Sequence, residues 1–192
     1  NDNANDTETV IVTLLDEGNF YRPDDPREAT VTITNTLNSC ATAVTFTDPD
    51  LEAFFLDPDT YVNQRVLGIN DIPLTRDDLV VNNQVCAERV VDVYTIDLQG
   101  GYGIGELFSL GGLENFVNLE ILNIEEAFLS GDIDLTQYPS LVEFNADLNR
   151  ITSVTASSTA NAQLRRISVY GQGQTFSVLT AVNLNGVMPA LE

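Results

Sequence analysis

The chain has 192 residues, of which 43% are hydrophobic, so it is long enough to bury the core of one domain or of two small ones. Its 29 acidic and 8 basic residues give a net charge of −21, which repels phosphate backbones and anionic membranes and argues against nucleic acid as a partner. Every basic residue is Arg, and the absence of His and Lys removes His-dependent nucleophiles, His-ligated zinc, lysine Schiff bases and P-loops.

The polar start of the chain, residues 1–7, predicts a disordered leader and resembles the tether that remains after an export or lipoprotein signal is removed. No apolar run approaches the roughly 18 residues that a membrane span needs. An acidic surface without lysine is typical of a saline extracellular setting, although a compositional bias of the lineage explains it equally well. We therefore expect an extracellular or outer-surface protein without a membrane span, whose N terminus could carry a lipid tether.

Residues 8–47 are expected to form an N-terminal β-module. The stretches "ETVIVTLL" (8–15) and "ATVTITNTL" (29–37) are β-branched and partly alternating, which predicts two strands of a hairpin. The loop between them contains two prolines and an Asp pair. A further short strand is predicted at 43–47.

A helical capping region is predicted over residues 48–92. It opens with "DPDLEAFFL", in which Asp48 is a suitable N-cap and Pro49 occupies the first helical position. The apolar face of this helix is predicted to consist of Leu51, Phe54 and Phe55.

A second helix is predicted to begin near Thr75, because "TRDD" resembles a capping box with Asp in place of Glu. The acidic residues Asp48, Asp50, Asp57 and Asp59 raise the alternative of a calcium site. They match no EF-hand spacing, which favours helix caps and turns.

The chain has two cysteines, Cys40 and Cys86, which are 46 residues apart. No CxxC-type metal pattern is present. In an exported protein the two thiols are expected to pair as a disulfide.

From residue 93 onward the chain repeats itself, with apolar residues at relative positions 1, 4 and 6 of successive segments. Single strands or amphipathic helices can produce this spacing, but four segments at starts 26, 22 and 23 residues apart favour a repeat of leucine-rich-repeat length. A further repeat is predicted to start near residue 191, because Pro189-Ala190-Leu191 matches Pro139-Ser140-Leu141. The four predicted strands are "VYTIDL" (93–98), "LEILNI" (119–124), "LVEFNA" (141–146) and "LRRISV" (164–169).

The third segment continues into "LNRITSV", where Asn149 is expected to be buried and to bond backbone groups as the chain turns. Ile151 and Val154 are expected to fill the interior behind it. No other repeat has an Asn at this place; the fourth offers "GQGQ" instead.

The segment from residue 104 to 154 resembles bacterial leucine-rich-repeat surface proteins, particularly those of Bacteroidetes-type bacteria. In that family a helix like "DPDLEAFFL" precedes an entry repeat, and the likeness covers about residues 44–192. Period and resemblance together predict a mainly β protein with short helices: a leucine-rich-repeat solenoid over 93–192, forming a short right-handed parallel β ladder behind an N-terminal β/α capping region. The entry-repeat residues are Ile104, Leu107, Leu113, Glu114, Phe116, Asn118 and Leu119.

Such a ladder would present the residues between its buried positions on a concave face, which is the candidate ligand-binding surface. They include a polar column (Asp97, Asn123, Asn145, Ser168) and a mixed column (Thr95, Ile121, Glu143, Arg166). The remaining candidates precede each strand: Tyr94, Glu120, Val142 and Arg165.

Arg165 and Arg166 are adjacent basic residues in an acidic chain, and two interpretations remain open. They could anchor an acidic group of a partner, or they could pair with Glu143 across the sheet.

These patterns predict a non-enzymatic recognition or adhesion module that binds a protein or glycan and uses no cofactor or metal. The alternative is a structural subunit that binds copies of itself through an unpaired strand edge. A hydrolase is a third possibility, but the adjacent Glu125 and Glu126 fit a solvated turn better than a glycosidase pair.

Overall fold

The computed structural model describes residues 7–13, 28–34, 39–101, 106–172 and 179–186. The chain divides into two compact units, residues 1–39 and residues 40–192. Three predicted features lie outside the described residues: the leader up to residue 6, Ile104 of the entry repeat, and the repeat near residue 191.

The first unit contains two antiparallel strands, β1 (Thr7–Thr13) and β2 (Glu28–Thr34), with Val10 opposite Val31.

Residues 40–47 belong to the second unit. The strand predicted at 43–47 is reduced to an isolated antiparallel bridge between Ala43 and Cys86, beside which Val44 N donates to Val85 O (2.8 Å). Thr47 N donates instead to Gly111 O (3.1 Å), so the pairing does not extend along the segment.

Three short α-helices lie in the capping region. In the first, Asp48 is the N-cap and accepts hydrogen bonds from Asp50 N (2.9 Å) and Leu51 N (3.4 Å). Its predicted apolar residues, Leu51, Phe54 and Phe55, are buried. The helices are α1 (Pro49–Leu56), α2 (Pro58–Val62) and α3 (Arg76–Leu79). Two 3₁₀ turns lie in the same region, at Ile69–Asp71 and Val90–Asp92. Three more follow it, at Gln99–Gly101, Leu113–Asn115 and Leu135–Gln137.

The predicted capping box is present at α3, where Thr75 N donates to Asp78 Oδ2 over 2.7 Å. Asp57 caps α2 by accepting from Asp59 N over 2.9 Å. Two of the four acids that could suggest calcium, Asp48 and Asp57, therefore serve as helix caps.

Cys40 and Cys86 form the predicted disulfide. Beside it, Glu88 accepts from Ala41 N (2.7 Å) and Thr42 N (3.4 Å), and the Ala41 bond is the main cause that lowers the pKa of the Glu88 carboxyl. Disulfides persist in oxidising compartments, so the bond favours a location outside the reducing cytosol.

Strands predominate in the second unit. They are β3 (Val66–Leu67), β4 (Val80–Val81), β5 (Gln84–Val85), β6 (Thr95–Asp97), β7 (Ile121–Asn123), β8 (Ser130–Asp134), β9 (Glu143–Asn145), β10 (Arg150–Ser157), β11 (Arg166–Ser168) and β12 (Ala181–Asn185).

These strands form two mainly parallel sheets and one pair. The larger sheet has the order β11-β9-β7-β6-β3, in which only β3 runs antiparallel. The smaller sheet has the order β12-β10-β8, and β4 and β5 pair by themselves. The prediction of a mainly β fold with short helices and a parallel sheet is confirmed.

The four parallel strands β6, β7, β9 and β11 lie within the four predicted segments. The same backbone hydrogen bond follows the end of each of the first three, from one strand to the next. These bonds are Leu98 N to Asn123 O (2.7 Å), Ile124 N to Asn145 O (2.7 Å) and Ala146 N to Ser168 O (2.8 Å).

After each of these four strands the chain turns through a residue with positive φ. The angles are 75° at Gly100, 57° at Glu126, 57° at Leu148 and 68° at Gly171. The residues are spaced like the strand starts, at 26, 22 and 23 residues. Left-handed backbone costs a non-glycine residue roughly 1–2 kcal/mol, so the turns at Glu126 and Leu148 must be held by other contacts.

Asn149 holds one of these turns from inside, as expected. Its side chain is 1% exposed. The amide nitrogen donates to the carbonyls of Ile124 (2.6 Å), Ala146 (3.0 Å) and Asp147 (3.0 Å), and its oxygen accepts from Leu129 N (2.9 Å).

Gln172 makes the equivalent contacts one turn further along. Its amide nitrogen donates to Ala146 O (2.6 Å), and its oxygen accepts from Ile151 N (2.9 Å). The "GQGQ" stretch therefore supplies the same chemical group through a side chain that is one methylene longer.

One core lies between the strands of both sheets. It contains the middle residues of the larger sheet, such as Ile96, Leu122 and Phe144, and residues of the smaller sheet, such as Ile133 and Val154. No helix in the described part of the chain is long and apolar enough to cross a bilayer.

The two Asp-Pro-Asp sequences give a matched test of how the capping region is attached. Asp48 is fully buried, and its second oxygen also accepts from Phe108 N (2.6 Å) and Ser109 N (3.2 Å). Asp57 is exposed and caps α2 alone. We expect Asp48→Ala to lower the free energy of unfolding by about 3 kcal/mol. It removes the acceptor of four N–H groups, of which one bond is buried and three are part-buried. Asp57→Ala should cost about 1 kcal/mol.

Urea denaturation followed by circular dichroism measures both losses. An equal loss of unfolding free energy in the two variants would show that the hydrogen bonds that Phe108 N and Ser109 N donate to Asp48 contribute nothing to stability.

Candidate functional site

The candidate site is the outer face of β6, β7, β9 and β11, called here the sheet face. Side chains alternate along each strand, and the middle residues Ile96, Leu122, Phe144 and Ile167 point to the core. The flanking residues therefore share the opposite face.

Strand pairing places the two predicted columns in register. In the mixed column, Thr95 pairs with Ile121, Ile121 with Glu143, and Glu143 with Arg166. In the polar column, Asp97 pairs with Asn123, Asn123 with Asn145, and Asn145 with Ser168.

The polar column is committed to the turns that follow the strands. In three of its four members a side-chain oxygen accepts a hydrogen bond from the backbone N–H two residues further on. The bonds are Gln99 N to Asp97 (3.0 Å), Glu125 N to Asn123 (3.2 Å) and Asp147 N to Asn145 (3.2 Å).

The fourth member, Ser168, donates to Asp147 Oδ1 (2.7 Å), which also accepts from Tyr170 N (2.6 Å). Asp147 therefore closes this turn in place of Ser168. Sequence reasoning assigned no role to Asp147.

Side chains also join neighbouring turns along the polar column. Asn123 donates to Asp97 (3.0 Å), and Glu125 accepts from Gln99 (2.9 Å) and Asn145 (3.4 Å). The Glu125 carboxylate is thus part of the same network, and the polar column supports the fold more than it offers free groups to a ligand.

The mixed column has no such commitment. Among the described residues, no side-chain hydrogen bond or ion pair involves Ile121, Glu143 or Arg166. Thr95, Ile121 and Glu143 are half-buried, and Arg166 is exposed. This column is therefore the part of the sheet face that remains available.

The residues that precede the strands are joined through their backbones. Glu120 N donates to Tyr94 O, Val142 N to Glu120 O, and Arg165 N to Val142 O, each over 2.8 Å. Tyr94 and Val142 are half-buried, whereas Glu120 and Arg165 are exposed.

Arginines elsewhere in the second unit are used within the fold. Arg65, Arg76 and Arg89 donate to backbone carbonyls, and Arg150 pairs with Glu106 at 3.4 Å. That is the only ion pair among the residues whose side chains are described.

Arg165 and Arg166 differ from those four. Both are exposed, and no side-chain contact engages either one within the described chain. The predicted alternative that they pair with Glu143 is not realised, although Arg166 is the strand partner of Glu143.

The strand β3 and the neighbouring Arg65 complete the other edge of the sheet. Val66 pairs antiparallel with Ile96, and Arg65 Nη1 donates to the carbonyls of Asp97 (3.1 Å) and Gln99 (3.0 Å). Two residues in a capping region carry no periodic signal, so this strand could not be predicted from the sequence.

Cys40, Cys86 and Glu88 are the only described residues whose donor atoms meet the spacing of a metal site. The two sulfurs are bonded to each other, and the carboxylate accepts backbone hydrogens. The cluster is therefore a disulfide with a neighbouring cap, because no thiolate is available as a ligand.

No protein-family model, curated protein or solved structure matches this chain at a significant level. The candidate function therefore rests on the geometry of the chain's own residues.

Replacing Asp97 and Glu143 one at a time compares the two columns, since Asp97 belongs to the polar column and Glu143 to the mixed column. Both are half-buried acids on the same face. Asp97→Ala should lower the free energy of unfolding by about 1–2 kcal/mol, because Gln99 N and the Asn123 amide lose their acceptor. Glu143→Ala should change it by less than about 0.5 kcal/mol.

Both values come from urea titrations at one pH and salt concentration. A larger loss for Glu143→Ala than for Asp97→Ala would reverse the assignment of the two columns.

Proposed function

We propose that the second unit is a leucine-rich-repeat module of a secreted or surface protein of a Bacteroidetes-type bacterium, and that it binds a protein or glycan ligand through the sheet face without catalysing a reaction. Three recurring features support the repeat: the parallel pairing of four strands, the positive-φ turn after each, and the side-chain amides of the buried Asn149 and the half-buried Gln172 that bond the backbone of the turns. The disulfide supports an extracellular location.

The observation that carries the binding proposal is the state of Arg165 and Arg166. A chain of net charge −21 gains solubility from its acids. Two adjacent arginines that have no side-chain partner among the described residues bring it no such benefit. Both residues lie at one edge of the sheet face, and Arg166 is a member of the mixed column. A ligand that spans several strands would meet them there.

The chemistry of this edge favours an acidic group on the ligand. Two guanidinium groups can donate charge-assisted hydrogen bonds to a carboxylate, sulfate or phosphate. At physiological salt the Debye length is about 8 Å, so most of the distant carboxylates are screened. Glu143 and Glu120 would meanwhile accept hydrogen bonds from neutral or basic parts of the same ligand.

The test begins with arrays of acidic and neutral oligosaccharides and peptides, probed with the full chain. We expect the bound members to carry anionic groups. Arg166→Gln should raise the dissociation constant of such a ligand about tenfold or more, since it removes a charge-assisted hydrogen bond. Binding should also weaken as sodium chloride is raised from about 50 to 300 mM.

Arg150→Gln is the matched control, because it removes one positive charge from a residue outside the sheet face. It should leave the dissociation constant within about twofold. If a ligand binds equally well after Tyr94, Arg165 and Arg166 have all been replaced, the sheet face is not its binding surface.

The exposed residues of β12 favour a second candidate function, self-association into a structural assembly. This strand lies at one edge of the smaller sheet, and within the described residues only β10 pairs with it. Val182 and Leu184 on β12 are 43% and 38% exposed. An apolar strand edge can accept a strand from a second copy.

Light scattering after size exclusion tests this second candidate. Self-association predicts a mass that grows with concentration and falls back for Val182→Lys, because a charge on an edge strand blocks pairing. A monomeric mass at every concentration up to about 1 mM would rule it out. Val62→Lys serves as the control for added charge, because Val62 is 76% exposed but lies on α2.

A further inference from the structure

A cavity of about 250 Å³ lies in the second unit, away from the sheet face. One wall is the segment 108–111, and the other is β8 together with the turn that follows it. Within the described chain β8 is an edge strand, paired only with β10. The backbone bond from Leu107 N to Ala127 O (3.1 Å) joins the two walls just before the cavity opens.

The first wall is fixed by contacts that need no ligand. The buried Asp48 carboxylate accepts from Phe108 N (2.6 Å) and Ser109 N (3.2 Å), and the Ser109 hydroxyl bonds that of Thr47 (2.6 Å). At the base, Tyr138 is 5% exposed and burial raises the pKa of its phenol, so it remains protonated. A preformed wall lowers the entropy cost of binding.

The second wall offers two carboxylates, each with one oxygen fixed and the other free. Asp132 Oδ1 accepts from Thr152 Oγ1 (2.6 Å) and Ser153 Oγ (2.7 Å). Asp134 Oδ1 accepts from Thr136 N (3.0 Å) and Thr136 Oγ1 (2.6 Å). No described residue occupies either Oδ2.

The hydroxyl bonds also keep Asp132 ionised. The bond from Thr152, followed by that from Ser153, lowers the pKa of the Asp132 carboxyl. Two further polar side chains line the cavity without a side-chain hydrogen bond among the described residues, Ser130 and Gln137. The lining therefore combines acceptors with groups that both donate and accept.

Phe108 supplies an aromatic surface at the same cavity. Its side chain is 59% exposed, which is high for phenylalanine, and its backbone is held by Asp48. The backbone that carries the ring is therefore fixed before any ligand arrives. An exposed aromatic side chain beside hydrogen-bonding groups is typical of a binding site.

The lining excludes several ligand classes. Within the described part of the chain no arginine lines the cavity, and the two carboxylates repel anions. A wholly apolar ligand would desolvate both carboxylates without compensation. The volume lies below the roughly 300–1,000 Å³ of pockets for drug-sized ligands, so the cavity suits one small ring.

We propose that this cavity binds a single neutral pyranose unit of a glycan, with the Phe108 ring stacked on the C–H face of the sugar and the Asp132 and Asp134 carboxylates accepting hydrogen bonds from its hydroxyl groups. This sugar site is separate from the sheet face, and it does not depend on the function proposed for that face.

The test is a titration of the full ¹⁵N-labelled chain with methyl glycosides of glucose, galactose, mannose and N-acetylglucosamine, monitored by NMR. At least one should give saturable shifts confined to residues 108–111 and 130–138. For a ligand of about 13–16 heavy atoms we expect a dissociation constant of about 1 mM.

Two variants test the named contacts. Phe108→Ala and Asp132→Asn should each raise the dissociation constant about tenfold, by removing the stacking surface or the charged acceptor. Tyr170→Ala is the control, because Tyr170 is 77% exposed but does not line the cavity. Should Asp132→Asn misfold, Ser130→Ala gives an independent reading with a smaller expected loss.

Three outcomes would overturn the proposal. One is the absence of shifts for all four glycosides at about 50 mM, some fifty times the expected constant. Another is a constant that Phe108→Ala leaves unchanged. The third is a response of these residues to calcium chloride but to no sugar, which would make the carboxylates a cation site.

Discussion

The buried amide of Asn149 is the contact on which the parallel sheets depend. Parallel strands cannot be joined by tight hairpins, so the chain must leave one strand, cross the core and return. The connecting backbone runs partly inside the protein, where unpaired carbonyls and N–H groups are costly. One side chain supplies four of the missing bonds.

Those bonds explain why an unfavourable backbone is tolerated beside them. Leu148 has φ of 57° immediately before Asn149, in a region that normally favours glycine. The next turn uses Gly171 at the same place and Gln172 as the amide. The chain therefore closes successive turns with different residues but with the same chemistry.

The distribution of polar groups on the sheet face follows from the same requirement. Asp97, Asn123 and Asn145 close the turns at the strand ends, so they are bonded before any ligand arrives. The residues two positions earlier on each strand have no turn to close. The side-chain bonds that support the turns are thereby confined to one column. The exposed Arg166 belongs to the neighbouring column, whose side chains make no such bonds within the described part of the chain.

Sequence periodicity was sufficient to predict the register of both columns and the role of Asn149, because side chains in parallel strands repeat at the spacing of the strands. It was not sufficient where one residue type replaces another. Gln172 bonds the corresponding backbone groups through a longer side chain. Asn161 is buried and donates to Leu135 O and Tyr138 O, whereas the residues at the corresponding position of the two preceding turns are Phe116 and Tyr138. The cavity beside β8 depends on where two segments separate, which no local pattern records.

The most direct test of this account is hydrogen exchange at the backbone N–H groups of Leu129 and Ile151. Leu129 N donates to the Asn149 side chain, and Ile151 N donates to the Gln172 side chain. In the native chain both should be among the slowest amides to exchange. In Asn149→Ala, Leu129 should accelerate at least about tenfold more than Ile151, because only its acceptor has been removed. Rapid exchange of the Leu129 N–H in the native chain, or equal acceleration of the two N–H groups, would contradict the central role of the Asn149 side-chain amide.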